Sequence, residues 1–503
     1  MMLGILCEQT MRLEALTEVI QAITVHGDDN IDIKGIAYNS KQVHSGMLFV
    51  AIEGEKCDGN DFIDEAIERG AVAIVSERRE IGRKDVVHIN VNSSRQALAE
   101  IACSFYGNPS SKLEMVGITG TNGKTTTAYM VRAILEFTNR KSGLISTVSY
   151  DVGNRSIPAD RTTPESLDLQ SMLAKMVRLN CQSAVMEVSS HALAQKRVWG
   201  VDFDVGVFTN LTQEHLDYHD SMEEYFSIKA LLFRGLGQMR KNATAVINLD
   251  DRWGLHLASM GGSWAREITF GEHPSAMVRA DDVKCGGNGS RFRARTPWGE
   301  IDIEMKILGR FNVSNALAAI ATCGAMGVGM CDIGAALANF KPAPGRLEEI
   351  ANDRGLRIFV DYAHTHAALR SVLTTLREVT NERIITVFGC GGDRDHSKRA
   401  RMGEVAERYS TFSVITSDNP RKEDPVEIIR QIQSGYKSDD CYEVIENREE
   451  AIAGALRRAR PGDFVLIAGK GHENYQEFAD TIIPFDDREA VREALEDGSS
   501  YGC

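Results

Sequence analysis

One stretch of the chain, Val116-Gly-Ile-Thr-Gly-Thr-Asn-Gly-Lys-Thr-Thr-Thr127, combines glycines, a lysine and hydroxyls at the spacing of a phosphate-binding loop. Gly120 and Gly123 let backbone N–H groups turn inward on phosphate oxygens. Lys124 can reach the outer phosphates, and the Thr125 hydroxyl can ligate magnesium. Thr121, Asn122 and Thr126 complete the candidate contacts. The strict G-x-x-x-x-G-K-[ST] pattern is not met, because Ile118 stands where its first glycine would be. A tight strand-to-helix turn is the plainer alternative, and the lysine and threonines at the helix start argue against it.

Three more places carry groups suited to metal or phosphoryl chemistry. Glu187 ends an apolar run in Met186-Glu-Val-Ser-Ser-His191, so it lies near the loop if the two strands are neighbours. A buried carboxylate making structural hydrogen bonds is its alternative reading. Glu214-His-Leu-Asp-Tyr-His219 spaces His215 and His219 by four, on one helical face as in zinc proteases. The glutamate that should follow the first histidine is missing and no third ligand is evident, which disfavours zinc. Lys229, within Tyr225-Phe-Ser-Ile-Lys-Ala-Leu-Leu-Phe233, reads by pattern alone as a solvated residue on an amphipathic helix.

These groups need a scaffold, and its outline is visible. The first hundred or so residues alternate strand-like and helical patterns, and Tyr106-Gly-Asn-Pro-Ser-Ser111 has linker composition. From Leu113 the order strand, glycine-rich loop, helix recurs, as expected of a mostly parallel sheet covered by helices. Prolines and a glycine at Phe340-Lys-Pro-Ala-Pro-Gly345 mark a second boundary. Beyond it, apolar runs at 357–360, 384–388, 412–416 and 464–468 end in Asp-Tyr-Ala-His, Gly-Cys-Gly-Gly-Asp-Arg, Ser-Asp-Asn-Pro-Arg and Gly-Lys-Gly-His-Glu. Ligands bind at the carboxyl ends of parallel strands, so four such endings predict one composite site.

The length of 503 residues suggests about three domains. We expect an α/β chain divided at 1–111, 112–342 and 343–503, the last Rossmann-like. A net charge of −14 repels polyanions and argues against nucleic acid. No apolar run is long enough to span a bilayer and no secretory signal is read at the start, so a cytoplasmic protein without membrane partners is expected. The ten cysteines are scattered singly, as in a reducing compartment.

The loop variant Gly120-Thr-Asn-Gly-Lys-Thr-Thr126 resembles that of the Mur ligase family, shared in related form by folylpolyglutamate synthetases. The resemblance runs in order from about Ser40 to Glu473. It implies an amino-acid ligase that uses ATP to activate a carboxylate as an acyl phosphate, which an amine then attacks. It implies magnesium held by Thr125, Glu187, His215 and a carbamylated Lys229, which reverses the solvated reading of that lysine. Gly309-Arg-Phe-Asn-Val-Ser-Asn315 and Pro344-Gly-Arg-Leu-Glu348 resemble segments around the adenine and phosphates. Asn312 would then contact ATP, Arg346 would stabilise the transferring phosphoryl group, and Asp361 would bind the ribose. The family usually continues Asp-Tyr-Ala-His-Thr with proline, and this chain has His366.

The resemblance is to the branch that adds meso-diaminopimelate to a UDP-linked muramyl dipeptide in peptidoglycan synthesis. Ser40, Thr162, Thr163, Ser189, Gln195 and Arg197 match its UDP-substrate positions, with Lys41 in place of an arginine. Arg394, Asp418, Asn419, Pro420, Arg421, Gly469 and Glu473 match its amino-acid pocket. Arg421 would pair the distal carboxylate of diaminopimelate, which lysine lacks. Losing that partner is how such a site rejects lysine. A lysine-adding or folate-elongating ligase is the near alternative, and a P-loop switch the distant one. The expected partners are the two small-molecule substrates, and the expected state is a monomer whose domains close on them.

Overall fold

The computed structural model describes residues 10–54, 57–212, 221–239, 241–262 and 264–499. The chain forms two compact units, Met1–Lys124 with Thr138–Ile268, and Thr125–Phe137 with Thr269–Cys503.

Beside a short antiparallel pair of Met11–Arg12 with Asp32–Ile33, the first unit holds strands of two larger sheets. One has the order Ala22–His26, Val87–Val91, Ala71–Ser76, Met47–Val50, Gly35–Ala37, parallel except for its first pair. The helix Ser94–Phe105 starts where the Ser93 hydroxyl accepts the Gln96 N–H at 3.3 Å, and it buries Leu98, Ile101 and Phe105. In the other sheet Glu114–Thr119 lies between Ser183–Glu187 and Val205–Phe208, all parallel. Ser142–Ile145 and Thr244–Asn248 extend it in parallel on either side. Every residue of these strands is buried except the first of the central one, which is why they read as short continuous apolar runs. Glu187 pairs in register with Ile118, so its carboxylate ends its strand two residues before Gly120.

In the second unit an antiparallel meander of Val278–Gly286, Gly289–Thr296 and Gly299–Met305 precedes the helices Arg310–Ala325 and Met330–Ala338. A six-stranded sheet follows, in the order Glu348–Ile350, Arg357–Asp361, Phe464–Ala468, Ile384–Phe388, Phe412–Ile415, Tyr442–Val444, parallel after its first pair. One face packs on Leu369, Leu373 and Ile432, the other on Ile452, Leu456 and Val491. This doubly covered parallel sheet fulfils the Rossmann-like expectation, and the four predicted apolar runs are its four central strands. The fold as a whole is α/β, with sheets rich in parallel pairs. Among the described residues no helix is long and apolar enough to cross a membrane.

Candidate active site

Gly120 and Gly123 have φ of +146° and +84°, and a Cβ on Gly120 would lie 1.9 Å from Thr209 Oγ1. Only glycine fits there. The loop is anchored to the segment after Val205–Phe208: Thr121 N–H donates to the Asn210 carbonyl at 2.8 Å, and Asn122 N–H to Asn210 Oδ1 at 2.9 Å. Lys124 Nζ donates to the carbonyls of Gly120 and Thr121 at 2.9 and 2.7 Å. Lys229, on the helix Met222–Gly235, is only 1% exposed, so the solvated reading of this residue is wrong. Its Nζ donates to the same Gly120 carbonyl at 2.8 Å and lies 4.7 Å from the centre of the Tyr225 ring. Two lysines thus converge on one loop oxygen. Thr125 and Thr126 follow in the first turn of the helix Lys124–Phe137.

Glu187 is buried, with Oε1 accepting the Thr147 N–H at 2.8 Å and Oε2 lying 3.2 Å from the Thr147 hydroxyl. Thr162 Oγ1 is 3.1 Å from that same hydroxyl. Thr163 Oγ1 donates to the Glu187 carbonyl at 2.9 Å and accepts the Ser189 N–H at 3.1 Å. Arg197 donates to the Thr163 carbonyl at 3.1 Å and to Gln195 Oε1 at 2.6 Å. Five of the six predicted UDP-substrate residues therefore gather round Glu187. The sixth, Ser40, lies apart and donates to Glu65 Oε2 at 2.7 Å, while Lys41 is exposed. Glu165, which the sequence reading passed over, ties the set together. One of its oxygens lies 3.4 Å from Arg197, and 3.7 Å from both Arg95 and Arg161. His215 lies outside the described residues, as does His219.

Among the described residues no group of three or more His, Cys, Asp and Glu is gathered for a metal ion. Glu187 and Thr125 offer the hard oxygens that magnesium takes. An ion held largely by water and substrate phosphates needs no such group.

In the second unit Arg346 donates to Thr125 Oγ1 at 3.3 Å and stacks over Tyr362, 4.7 Å from the ring centre. Asp361 locks the turn that carries it, accepting the N–H groups of Leu347 at 2.6 Å and Ala363 at 2.8 Å. Burial pushes its carboxyl up to about 6, against the opposing pull of Arg346 and the two N–H donors. Asn312 is bonded within its own helix region, donating to the Leu308 carbonyl and accepting from Asn315. His366 is the first residue of the helix His366–Val379, capped by Thr365, whose hydroxyl accepts the Ala368 N–H at 3.2 Å. Proline is favoured at that position because its missing N–H is unpaired there anyway, and here histidine fills it as the first helical residue.

Most of the remaining predicted residues cluster at the carboxyl end of the six-stranded sheet. Asn419 donates to Glu473 Oε2 at 2.9 Å and accepts from Lys470 Nζ at 3.0 Å. A Cβ on Gly469, whose φ is +119°, would lie 2.6 Å from Asp418 Oδ2. Lys470 is fully buried and is 3.2 Å from Glu473 Oε2. Burial raises the Asp418 carboxyl, yet Lys470 and Arg448 outweigh it and hold Asp418 below the ordinary carboxylate value. At Glu473 burial wins, reinforced by Asp418 and opposed by Lys470, and the carboxyl is raised. Arg448 is itself fully buried in a two-pronged pair with Asp487, at 2.7 and 2.8 Å. Pro420 is buried between Asn419 and Arg421, and Arg394 is exposed in the loop after Ile384–Phe388. That loop is pinned where the fully buried Arg399 donates to both oxygens of Glu423 at 2.8 and 2.9 Å, which draws that carboxyl down to about 2.

Sequence reading missed Lys470, Arg448, Asp487, Glu165 and Glu477. A lysine inside a glycine run at a strand end was the one available signal, at Gly469-Lys-Gly471.

The Mur ligase middle domain matches residues 118–323, the Mur ligase glutamate ligase domain residues 345–471, and the Mur ligase family catalytic domain residues 32–106. A UDP-N-acetylmuramoyl-L-alanyl-D-glutamate--2,6-diaminopimelate ligase of Geobacter metallireducens is 45% identical, covering 98% of this chain and 100% of its own. One of the same name from Caldanaerobacter subterraneus is 46% identical, covering 94% and 96%. A solved structure with that enzyme name is 31% identical at a TM-score of 0.70, covering 97% of this chain and 99% of that one. A Mycobacterium tuberculosis folylpolyglutamate synthase shares the fold at 18% identity and a TM-score of 0.62, over 80% and 95% of the two chains. With family matches over most of its length and relatives above 40% identity across nearly all of it, the chain belongs to the Mur ligase family.

Proposed function

We propose that this chain is an ATP-dependent amide ligase that joins meso-diaminopimelate to UDP-N-acetylmuramoyl-L-alanyl-D-glutamate in peptidoglycan precursor synthesis. The observation that carries the reading is the pocket in which Asp418, Asn419 and Glu473 lie near Arg421, a pattern suited to a zwitterion with a second carboxylate. The names of the near full-length relatives support it. A lysine-adding ligase would leave Arg421 without a ligand carboxylate.

In this reading Lys124 faces the ATP phosphates, Arg346 draws charge from the transferring phosphoryl group, and Asn312 and Asp361 flank the nucleotide. Thr125, Glu187, His215 and Lys229 as a carbamate are the proposed magnesium ligands. The bound ion would neutralise charge on the phosphates. Burial beside the Lys124 ammonium suits Lys229 to carbamylation, which needs an uncharged amine. Ser40, Thr162, Thr163, Ser189, Gln195 and Arg197 hold the UDP-dipeptide. The free side-chain carboxylate of its D-glutamate takes the γ-phosphoryl group and ADP leaves. An amine of diaminopimelate then attacks the acyl phosphate, loses a proton, and phosphate departs from the tetrahedral intermediate. Arg394, Pro420 and Gly469 complete the amino-acid pocket. We keep 1–111, 112–342 and 343–503 as the working domain division, and take the enzyme to act as a cytosolic monomer.

The test is ADP formation with ATP, magnesium and the UDP-dipeptide across a panel of diaminopimelate, lysine and glutamate. Diaminopimelate should give the highest kcat/KM. A preference for lysine would overturn the substrate assignment, and ADP formation indifferent to every amino acid would overturn the ligase reading.

A further inference from the structure

Arg421 is gripped by the hairpin Tyr475–Phe478 and Thr481–Pro484, which follows the Gly469-Lys-Gly-His-Glu473 loop. Its backbone N–H donates to the Glu477 carbonyl at 3.0 Å, within an isolated parallel bridge to Phe478. Its Nε donates to the Glu477 carboxylate at 2.8 Å, and its Nη1 to the Gly392 carbonyl at 2.8 Å. The same strand ties down the neighbouring pocket residues. Glu477 N–H donates to Asn419 Oδ1 at 3.0 Å, and Gln476 Nε2 to the Asp418 carbonyl at 2.8 Å. Across the guanidinium, a Cβ on Gly391 would lie 3.0 Å from Nη1, so this loop leaves the arginine room only by lacking a side chain.

A guanidinium can meet a carboxylate through Nε and one Nη, or through the outer edge formed by both Nη groups. Glu477 occupies Nε and the Gly392 carbonyl takes one Nη1 hydrogen, so Nη2 and the second Nη1 hydrogen, on the outer edge, are what is left for a ligand. We infer that Glu477 is a positioning residue for diaminopimelate selectivity: it fixes Arg421 through Nε and aims the paired Nη groups at the distal carboxylate. The inference rests on the assignment of Arg421 to that carboxylate. The Glu477 charge itself repels a second carboxylate, so its contribution is directional. An amide oxygen, which accepts the same hydrogen bond without that charge, should serve as well.

The experiment measures KM and kcat for diaminopimelate and for lysine, at saturating ATP and UDP-dipeptide, in wild type, Glu477→Gln, Glu477→Ala and Arg421→Ala. Glu477→Ala should raise the KM for diaminopimelate on the order of tenfold, since small misplacements of a binding group cost about that much or more. Its kcat, its KM for the UDP-dipeptide and its kcat/KM for lysine should hold. Glu477→Gln should stay within about threefold of wild type. Adding Glu477→Ala to Arg421→Ala should change the preference no further. Equal losses for diaminopimelate and lysine in Glu477→Ala, or a Gln variant as impaired as Ala, would overturn the inference while leaving Arg421 in place. If Arg421→Ala itself leaves the preference between the two amino acids unchanged, the reading beneath the inference has failed instead.

Discussion

The phosphate loop and the amino-acid pocket solve the same problem, holding charge in a desolvated place, by opposite means. The loop is made of backbone: glycines with positive φ turn its amides, and Lys124 and Lys229 are stored on its own carbonyls. The pocket is made of side chains, several of them held by residues 39 to 56 positions away in the chain. Lys470 bonds to Asn419 across 51 positions, Arg448 pairs with Asp487 across 39, and Arg421 pairs with Glu477 across 56. The loop's shape is written in a contiguous motif, although Lys229 reaches it from 109 residues away. Selectivity needs long-range support.

Substitutions can break that contrast or sharpen it, and the largest effect belongs to the loop. Lys124→Ala should lower kcat by on the order of a thousandfold, the scale of losing a positioned donor to a charged transition state. The loss should be alike for every amino acid tested, with UDP-dipeptide binding by calorimetry retained. Collapse of that binding as well would indicate misfolding and break the assignment. Lys229→Ala should also abolish most turnover, and short carboxylic acids should restore part of it by supplying the missing oxygens. Full activity without such an additive would dismiss the carbamate.

In the pocket the loss should depend on the substrate. Arg421→Ala should cost about 30- to 1,000-fold in kcat/KM for diaminopimelate, or roughly 2 to 4 kcal/mol, while scarcely changing the value for lysine. An equal loss for both would mean that the pocket behaves like the loop. The smallest expected effect is on pH. The folded chain binds the Asp361 proton more tightly than the unfolded chain does, at about 6 against the ordinary 3.8. Its contribution to stability is therefore present below 3.8 and lost as pH rises through about 6. Protonation also turns an accepting oxygen into a donor and frees the N–H of Leu347 or Ala363. Activity should therefore fall as pH drops through about 6 while melting temperature, compared with Asp361→Asn, rises. Parallel changes in both would reject this role.

Much of this was legible in the sequence. The four strand endings of the second unit were readable because parallel strands buried on both faces leave short apolar runs, each stopped by glycine or a turn residue. The phosphate loop was readable because its parts are contiguous. Lys229 was misread by pattern alone because periodicity cannot show that a helix face meets a loop 109 residues earlier. Glu165, Lys470 and Glu477 were invisible for the same reason: a charged residue looks solvated until the fold brings its counter-charge to it. Asn312 was legible as part of a segment, but not that both ends of its amide are used within its own helix region.

Arg421 adopts a left-handed backbone, with φ of +52°. For a residue with a Cβ this conformation costs about 1 kcal/mol relative to glycine. The pocket therefore holds its selecting residue against that residue's own preference, and an exchange to glycine would release the strain as it removed the charge. That relief is set against the hydrogen bonds to the Glu477 carboxylate and the Gly392 carbonyl, which the same exchange would remove. A glycine here should therefore abolish discrimination while leaving the melting temperature nearly unchanged, so that stability alone would not reveal the loss of amino-acid preference.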